Sequence, residues 1–243
     1  MRSTRIYVDI ELAGEREILL PAAQSSHLLR VLRLRTGAAL TLFNGRGGEY
    51  AAELMGADKA GARLSIGAHS DQERESPLRV ALLQGIARGE RMDLIVQKAT
   101  ELGVQRIVPL SCEFSVVRLD ATNRRRRSEH WRAVAIGACE QCGRNRIPEI
   151  DPIGDFGEVC AASDAELRLM LLPQAPDSLT AVAAAARSAA ILVGPEGGLS
   201  GREQLLAQRC GFRACRLGPR ILRTETAALA ALAALQASAG DLS

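Results

Sequence analysis

"AILVGPEGGLSGREQLLAQRCGFRACRLG", residues 190–218, reads as an apolar strand, a glycine-rich loop, a helix and a second strand. Two strands joined by a helix of that length run parallel, because only a long crossover returns the chain to the same edge. The alternation extends to both sides. Upstream, "LRVALLQGIA" (78–87), "RIVPLSC" (106–112) and "ELRLMLLP" (166–173) read as strands, and "RGERMDLIVQKATELGV" (88–104), "NRRRRSEHWRAVAIGACEQCG" (123–143) and "SLTAVAAAARSA" (178–189) as helices. Downstream, "RTETAALAALAALQA" (223–237) reads as a terminal helix. The expected architecture is an α/β domain over residues 78–243, a parallel sheet with helices on both faces.

The loop itself is unusual. Glycines after a strand let the backbone approach a ligand, most often a phosphate. Here the Lys-Ser/Thr ending of a P-loop and the G-x-G-x-x-G spacing of a dinucleotide turn are both missing, Pro195 removes a donor, and Glu196 repels an anion. A ligand loop and a simple tight turn over Gly194–Gly198 both remain open.

Residues 5–70 follow another pattern: "RIYVDI", "EREILLP", "AALTLFNG", "EYAAELMG" and "ARLSIGAH" are short strands, with one helical segment, "SSHLLRVLRLR" (25–35). This is a small β-barrel or sandwich over residues 1–70, and "DQERESP" (71–77) is a linker. The formal net charge of +3 announces no nucleic-acid field. Among 31 basic residues, however, only Lys59 and Lys98 are lysines, so the surface suits bidentate phosphate contact and base stacking wherever its arginines cluster. No apolar run reaches membrane-spanning length and no secretory signal is read at the start, so the expected location is the cytoplasm and no membrane partner is expected. The six cysteines read as reduced thiols; Cys139 and Cys142 form a C-x-x-C without a second pair at zinc-site spacing, so no metal is expected.

In parallel sheets ligands lie beyond the carboxyl ends of the strands. Three late loops hold that position and supply the candidate cofactor contacts: Leu171, Leu172 and Pro173; Val193, Gly194, Glu196, Gly197, Gly198 and Leu199; and Leu217, Gly218, Ile221, Leu222, Arg223 and Thr226. Thr224 is placed to cap the final helix. Apolar residues among glycines beside an acid suit a nucleoside without phosphates, and S-adenosyl-L-methionine fits that description.

"KATELGVQRIVPL", "EQCGRNRIPEI", "LVGPEGGLS" and "LGPRILRTETA" together resemble the RsmE-type ribosomal RNA uridine N3-methyltransferases of the SPOUT class, and "HLLRVLRLRTG" and "FNGRGGEY" are similar to that family's PUA-like N-terminal barrel. The resemblance implies a deep trefoil knot after Leu172, a homodimer with a shared site, and small-subunit (16S) ribosomal RNA or the assembled small subunit as substrate. The Ala-rich helix 224–237 belongs either to the dimer interface or to the core. Two positions depart from the family pattern: Phe114 follows Glu113 where an Arg is usual, and Ala38 stands where an acid is common.

Methylation at uracil N3 requires loss of the N3 proton and stabilisation of the anion. Arg223 and Arg220 are the candidates for that stabilisation and Glu196 for a base or orienter, against phosphate contact or a structural ion pair for the two arginines. Candidate RNA contacts are Arg5, His27, Arg30, Arg33, Arg88, Lys98, Glu101, Arg144 and Arg146. For Lys98 and Glu101, three apart on a helix, mutual pairing is equally open. "NRRRR" (123–127) reads first as a solvated helix face. A SPOUT enzyme acting on another RNA position and a non-catalytic RNA-binding protein of the same fold are the competing assignments.

Overall fold

The computed structural model describes residues 4–14, 16–115, 120–182 and 186–242. The chain divides into two compact units. The first takes the residues up to Glu75 together with Cys139–Ile147, and the second takes Ser76–Ala138 and the chain from Pro148 onward. Two contiguous domains were expected; the second interval of the first unit departs from that division.

In the first unit, β1 (Thr4–Tyr7), β2 (Arg16–Leu19), β3 (Ala39–Phe43), β4 (Glu49–Asp58) and β5 (Gly61–Ser70) form one sheet in the order β1-β3-β4-β5-β2. β1 pairs parallel to β3 and the other pairs are antiparallel. Alternation sets the faces: Leu40 and Leu42, Leu54, and Leu64 and Ile66 turn inward onto Ile6 and Leu28, while Ala39, Glu53, Met55 and Arg63 face out. The helical segment expected over 25–35 is shorter and shifted. α1 (Ala22–Ser26) passes into a wider turn over His27–Val31, closed by Leu32 N–H on the His27 carbonyl at 3.0 Å. Only Leu28 of that turn is buried, so His27, Arg30 and Val31 lack the core contacts that would prolong a regular helix. Arg33 follows with φ of 52°, in the left-handed region.

The segment Cys139–Ile147 completes this unit with charged contacts. Arg144 is buried and forks onto Glu75, with Nε 3.0 Å from Oε1 and Nη2 2.5 Å from Oε2. Asn145 donates to the Gln72 carbonyl at 2.6 Å and accepts from Arg5 Nη2 at 2.5 Å. Arg5 is also bonded through Nη1 to Glu49 and lies over the Phe43 ring at 4.9 Å. These bonds correct two expectations: Arg5 and Arg144 are consumed inside the unit and are not presented to RNA.

In the second unit, β6 (Arg79–Gly85), β7 (Arg106–Ser111), β8 (Glu149–Ile150), β9 (Gly154–Asp155), β10 (Leu167–Leu171), β11 (Ser188–Val193) and β12 (Arg213–Cys215) form an all-parallel sheet in the order β12-β10-β11-β6-β7-β8, with β9 also on β7. α2 (Glu90–Glu101), α3 (Ala121–Cys142), α4 (Phe156–Ala162), α5 (Leu179–Val182), α6 (Gly201–Arg209) and α7 (Thr224–Ala239) complete it, the last turn of α3 counting with the first unit. Its core is built on near-continuous apolar strands, Leu83, Val108, Leu110, Met170 and Leu192 among them, as strands buried on both faces require. Of the helix expected over 178–189, Leu179–Val182 is helical, whereas Ser188 and Ala189 join β11 opposite Arg79 and Val80. Sheet pairing there overrides the helix preference of alanine, while residues 183–185 lie outside the described residues. α7 packs on α2, β6 and β11. Ala228, Ala231, Leu232 and Leu235 are its buried face, so Ala231 belongs to the core of its own chain. Among the described residues no helix is long and apolar enough to cross a membrane.

Candidate cofactor site

Strand order brings β12, β10 and β11 side by side, and their carboxyl ends open onto one cavity of about 460 Å³. Leu171, Leu172 and Pro173 form one wall. Val193, Gly194, Glu196, Gly198 and Leu199 form the second, together with Pro195. The third takes Leu217, Gly218, Ile221, Leu222 and Arg223, together with Cys215, Arg216 and Arg220. Gly197 and Thr226 lie outside the wall.

Sterics and hydrogen bonds fix these loops. A Cβ on Gly194 would stand 2.9 Å from the Gly198 carbonyl carbon, and one on Gly85 would stand 2.5 Å from both the Pro195 nitrogen and Cδ, so the glycine loop folds tightly on itself and on the end of β6. Gly198 N–H donates to the Pro195 carbonyl at 2.9 Å with φ of +74°, a turn that needs glycine. Ser200 then opens α6 in a capping box with Glu203. Thr224 does not cap α7; Arg223 holds the cap position and makes no side-chain bond there. The Thr224 hydroxyl instead donates to the Gly194 carbonyl at 2.7 Å and accepts from Gln84 Nε2 at 2.9 Å, tying the first residue of α7 to the glycine loop and to β6. Arg216 laces the third loop to the first: its N–H donates to the Asp177 carbonyl at 2.9 Å, its carbonyl accepts from Leu179 N–H at 2.9 Å, and its Nη1 donates to the Ala175 carbonyl at 2.8 Å.

Charge at the mouth is unevenly committed. Glu196 Oε1 accepts from the Arg88 backbone N–H at 3.0 Å and from Arg91 Nη1 at 2.9 Å. Burial pushes the Glu196 carboxyl up, but the Arg88 backbone bond and the Arg91 guanidinium outweigh it and hold the group below the usual carboxylate range. A carboxylate so occupied is a poor proton acceptor, and the expected role of base does not fit it; Glu196 anchors the loop. Arg220 and Arg223 are exposed and have no ion-pair or hydrogen-bond partner for their guanidiniums among the described residues, so the structural ion-pair alternative does not hold for them.

The other candidate residues fall differently. Lys98 Nζ lies 2.8 and 3.0 Å from the two Glu101 oxygens, the mutual pairing their spacing allows. Arg88 contributes its backbone N–H to Glu196 and keeps its side chain exposed. His27, Arg30 and Arg33 are exposed, and Arg146 is exposed with Nη2 3.5 Å from Glu73. In the 123–127 run Arg125, Arg126 and Arg127 are exposed, and Arg125 pairs with Glu129 at 3.5 Å. None of the six cysteines is in a disulfide; a hydrogen bond with Cys142 and burial push the Cys139 thiol up, and no cluster of three or more metal-binding side chains occurs among the described residues. Sequence reasoning missed Arg91, Pro195, Cys215, Arg216, Thr224 and Ala227 on the cavity wall. Arg91 stood at a legible place, in the helix opening just past the carboxyl end of β6, but nothing distinguished it from other arginines.

The RNA methyltransferase domain family matches residues 74–236, and the RNA methyltransferase PUA domain family matches residues 20–66. The chain is 33% identical over 243 residues to the ribosomal RNA small subunit methyltransferase E of Buchnera aphidicola from Schizaphis graminum, covering 100% of this chain and 99% of the relative. The chain belongs to the ribosomal RNA small subunit methyltransferase E family. The Bacillus subtilis methyltransferase E is 31% identical, with 86% of this chain and 85% of that one covered. The crystal structure of the methyltransferase E of Neisseria gonorrhoeae, bound to S-adenosyl methionine, is 36% identical with a TM-score of 0.92, both chains covered in full. Membership gives the two units their names: a PUA-like N-terminal unit and an RNA methyltransferase unit built on the parallel sheet.

Proposed function

We propose that this methyltransferase transfers the methyl group of S-adenosyl-L-methionine to N3 of a uridine in small-subunit (16S) ribosomal RNA. The carrying observation is the cavity: apolar walls from three strand ends, a glycine loop without a phosphate nest, and an acid already engaged by Arg88 and Arg91. Those features suit an adenine ring and an uncharged ribose, and disfavour a nucleoside triphosphate. Leu171, Leu172, Val193, Gly194, Leu217 and Leu222 would hold the cofactor, which when bound supplies an electrophilic methyl group.

The protein's share of the chemistry is alignment and charge. N3 lies on the Watson–Crick edge, so the target base is single-stranded or flipped when it meets the site. Loss of the N3 proton leaves negative charge shared with O2 and O4, and the unpaired guanidiniums of Arg220 and Arg223 at the mouth would stabilise it. The PUA-like unit supplies RNA affinity through its exposed basic residues, Arg30, Arg33 and Arg146. The same reading includes a homodimer, cytoplasmic location, and a trefoil knot in which the chain entering α7 passes through the β10–β11 connection; the lacing of Arg216 to residues 175–179 supports that threading.

Labelled cofactor incubated with small-subunit particles and with free ribosomal RNA, followed by mass mapping of the product, tests the assignment. Label on N3 of one uridine is the expected result. Label at another atom would replace it with a different methylation, and no transfer with intact cofactor binding would leave an RNA-binding protein.

A further inference from the structure

The chain has one Trp, two Tyr and four Phe, and the fold hides nearly all of them. Trp131, Tyr7, Phe43, Phe156 and Phe212 are buried. Tyr50 is half-buried, its ring 4.6 Å from that of His69 and its hydroxyl on the Leu12 carbonyl. Phe114 alone is exposed, at 48%.

Its position is fixed. The turn after β7 is closed by Ser115 N–H on the Cys112 carbonyl at 3.0 Å and by Cys112 N–H on Ser115 Oγ at 3.1 Å. Glu113 N–H donates to Glu203 Oε1 at 2.8 Å, so the carboxylate that completes the α6 capping box also holds this turn. Phe114 rests against the glycine loop: a Cβ built on Gly197 would stand 2.8 Å from the Phe114 Cβ and 3.2 Å from its carbonyl oxygen. The neighbours of Gly197, Glu196 and Gly198, line the cofactor cavity. A bare aromatic ring is thus mounted on the outer flank of the loop that encloses the reaction site. Leaving such a ring in water costs burial that a core position would recover, and single-stranded RNA recognition is a use that repays it, because any base presents a π-face for stacking.

We propose that Phe114 is a substrate-positioning residue, a platform on which a nucleobase of the single-stranded substrate stacks beside the cofactor loop. This rests on the methyltransferase reading above. The ring gives no hydrogen-bond readout, so it orders the strand without choosing its sequence.

The test compares F114A, F114L and F114W with the wild-type chain on small-subunit ribosomal RNA, measuring kcat and KM for RNA, cofactor affinity by calorimetry, and sedimentation. F114A and F114L should raise KM by about tenfold, with little change in turnover at saturation or in cofactor affinity. F114W should recover most of the loss, and its exposed indole should be quenched on addition of RNA while the buried Trp131 contributes a constant background. Equal KM for F114L and wild type would overturn the stacking role, since leucine keeps the apolar area and lacks the π-face. Loss of a dimer in F114A with unchanged KM would assign the ring to a second copy of the chain instead. Wild-type chain that binds cofactor yet methylates no ribosomal RNA would remove the underlying reading, and this proposal with it.

Discussion

Arginines that look alike in the sequence meet opposite fates. Arg144 and Arg146 are two residues apart, yet the first has 4% of its side chain exposed and is locked to Glu75, while the second is 54% exposed. Arg220 and Arg223 are free where Arg5 is consumed, and that freedom carries the first prediction. Arg223→Ala should lower turnover about a hundredfold, the usual cost of one donor to a developing anion, with RNA affinity little changed. Single-turnover methyl transfer alongside RNA titration checks it, and weakened RNA binding with intact turnover would make Arg223 a phosphate clamp. Gly197 carries the second. A valine there meets Phe114 rather than the cavity, so Gly197→Val should act indirectly, displacing the glycine loop. Calorimetry should find cofactor affinity lower by about tenfold, 1.4 kcal/mol, in a folded chain. Glu49 carries the third. Burial raises its carboxyl, but the bond and charge of Arg5 outweigh burial and hold it below the usual carboxylate range. A lowered folded-state value means that the stabilisation is present above the unfolded carboxyl value and is lost as pH falls through the folded one. The stability gap between wild type and Glu49→Gln should therefore be full near neutrality and narrow below about pH 4, as denaturant titrations at several pH values would show.

Elements were legible where period and punctuation agreed. β6, β7, β10 and β11 announce themselves as apolar runs bounded by charged or glycine residues, and the strand-helix alternation left little choice of sheet. Alternation and length failed at the end of the segment 178–189, because Ser188 and Ala189 read as helix while register with β6 claims them for a strand. They failed again at His27–Val31, where Val31 and Leu32, three and four residues past the buried Leu28, stay exposed. In the site, the glycine loop was readable from its own residues, whereas Arg91 and the bond from Thr224 to Gly194 depend on which strand ends become neighbours, a long-range fact that no local pattern encodes. The turn after α3 was misread for the same reason, and it supplies the fourth prediction. Arg144→Ala leaves Glu75 without its partner and should cost about 3–5 kcal/mol in denaturant unfolding, the range for breaking a buried ion pair from one side.

For the whole molecule, the proposed homodimer would need a surface that the chain's own core leaves open. Ala231 is core, but Thr226, Ala230, Ala233 and Ala237 follow helical spacing on the face of α7 away from Ala228, Leu232 and Leu235. Small side chains there permit close approach of a second helix. Ala230→Glu should convert a sedimenting dimer to monomer and reduce methyl transfer with it, and an active monomer would contradict a shared site. The two-part make-up of the first unit has a kinetic consequence as well. Its strands up to β5 are local, yet Arg5, Gln72, Glu75 and Tyr7 each also bond to Glu140, Arg144 or Asn145, beyond a stretch that belongs to the other unit. Closing so long a loop is entropically costly and raises the contact order of the smaller unit above what its size suggests. The smaller unit should therefore consolidate late in refolding, after the intervening chain has ordered, so that a fragment ending at Glu75 starts from a sheet in which Glu75 lacks Arg144 and Arg5 keeps Glu49 without Asn145.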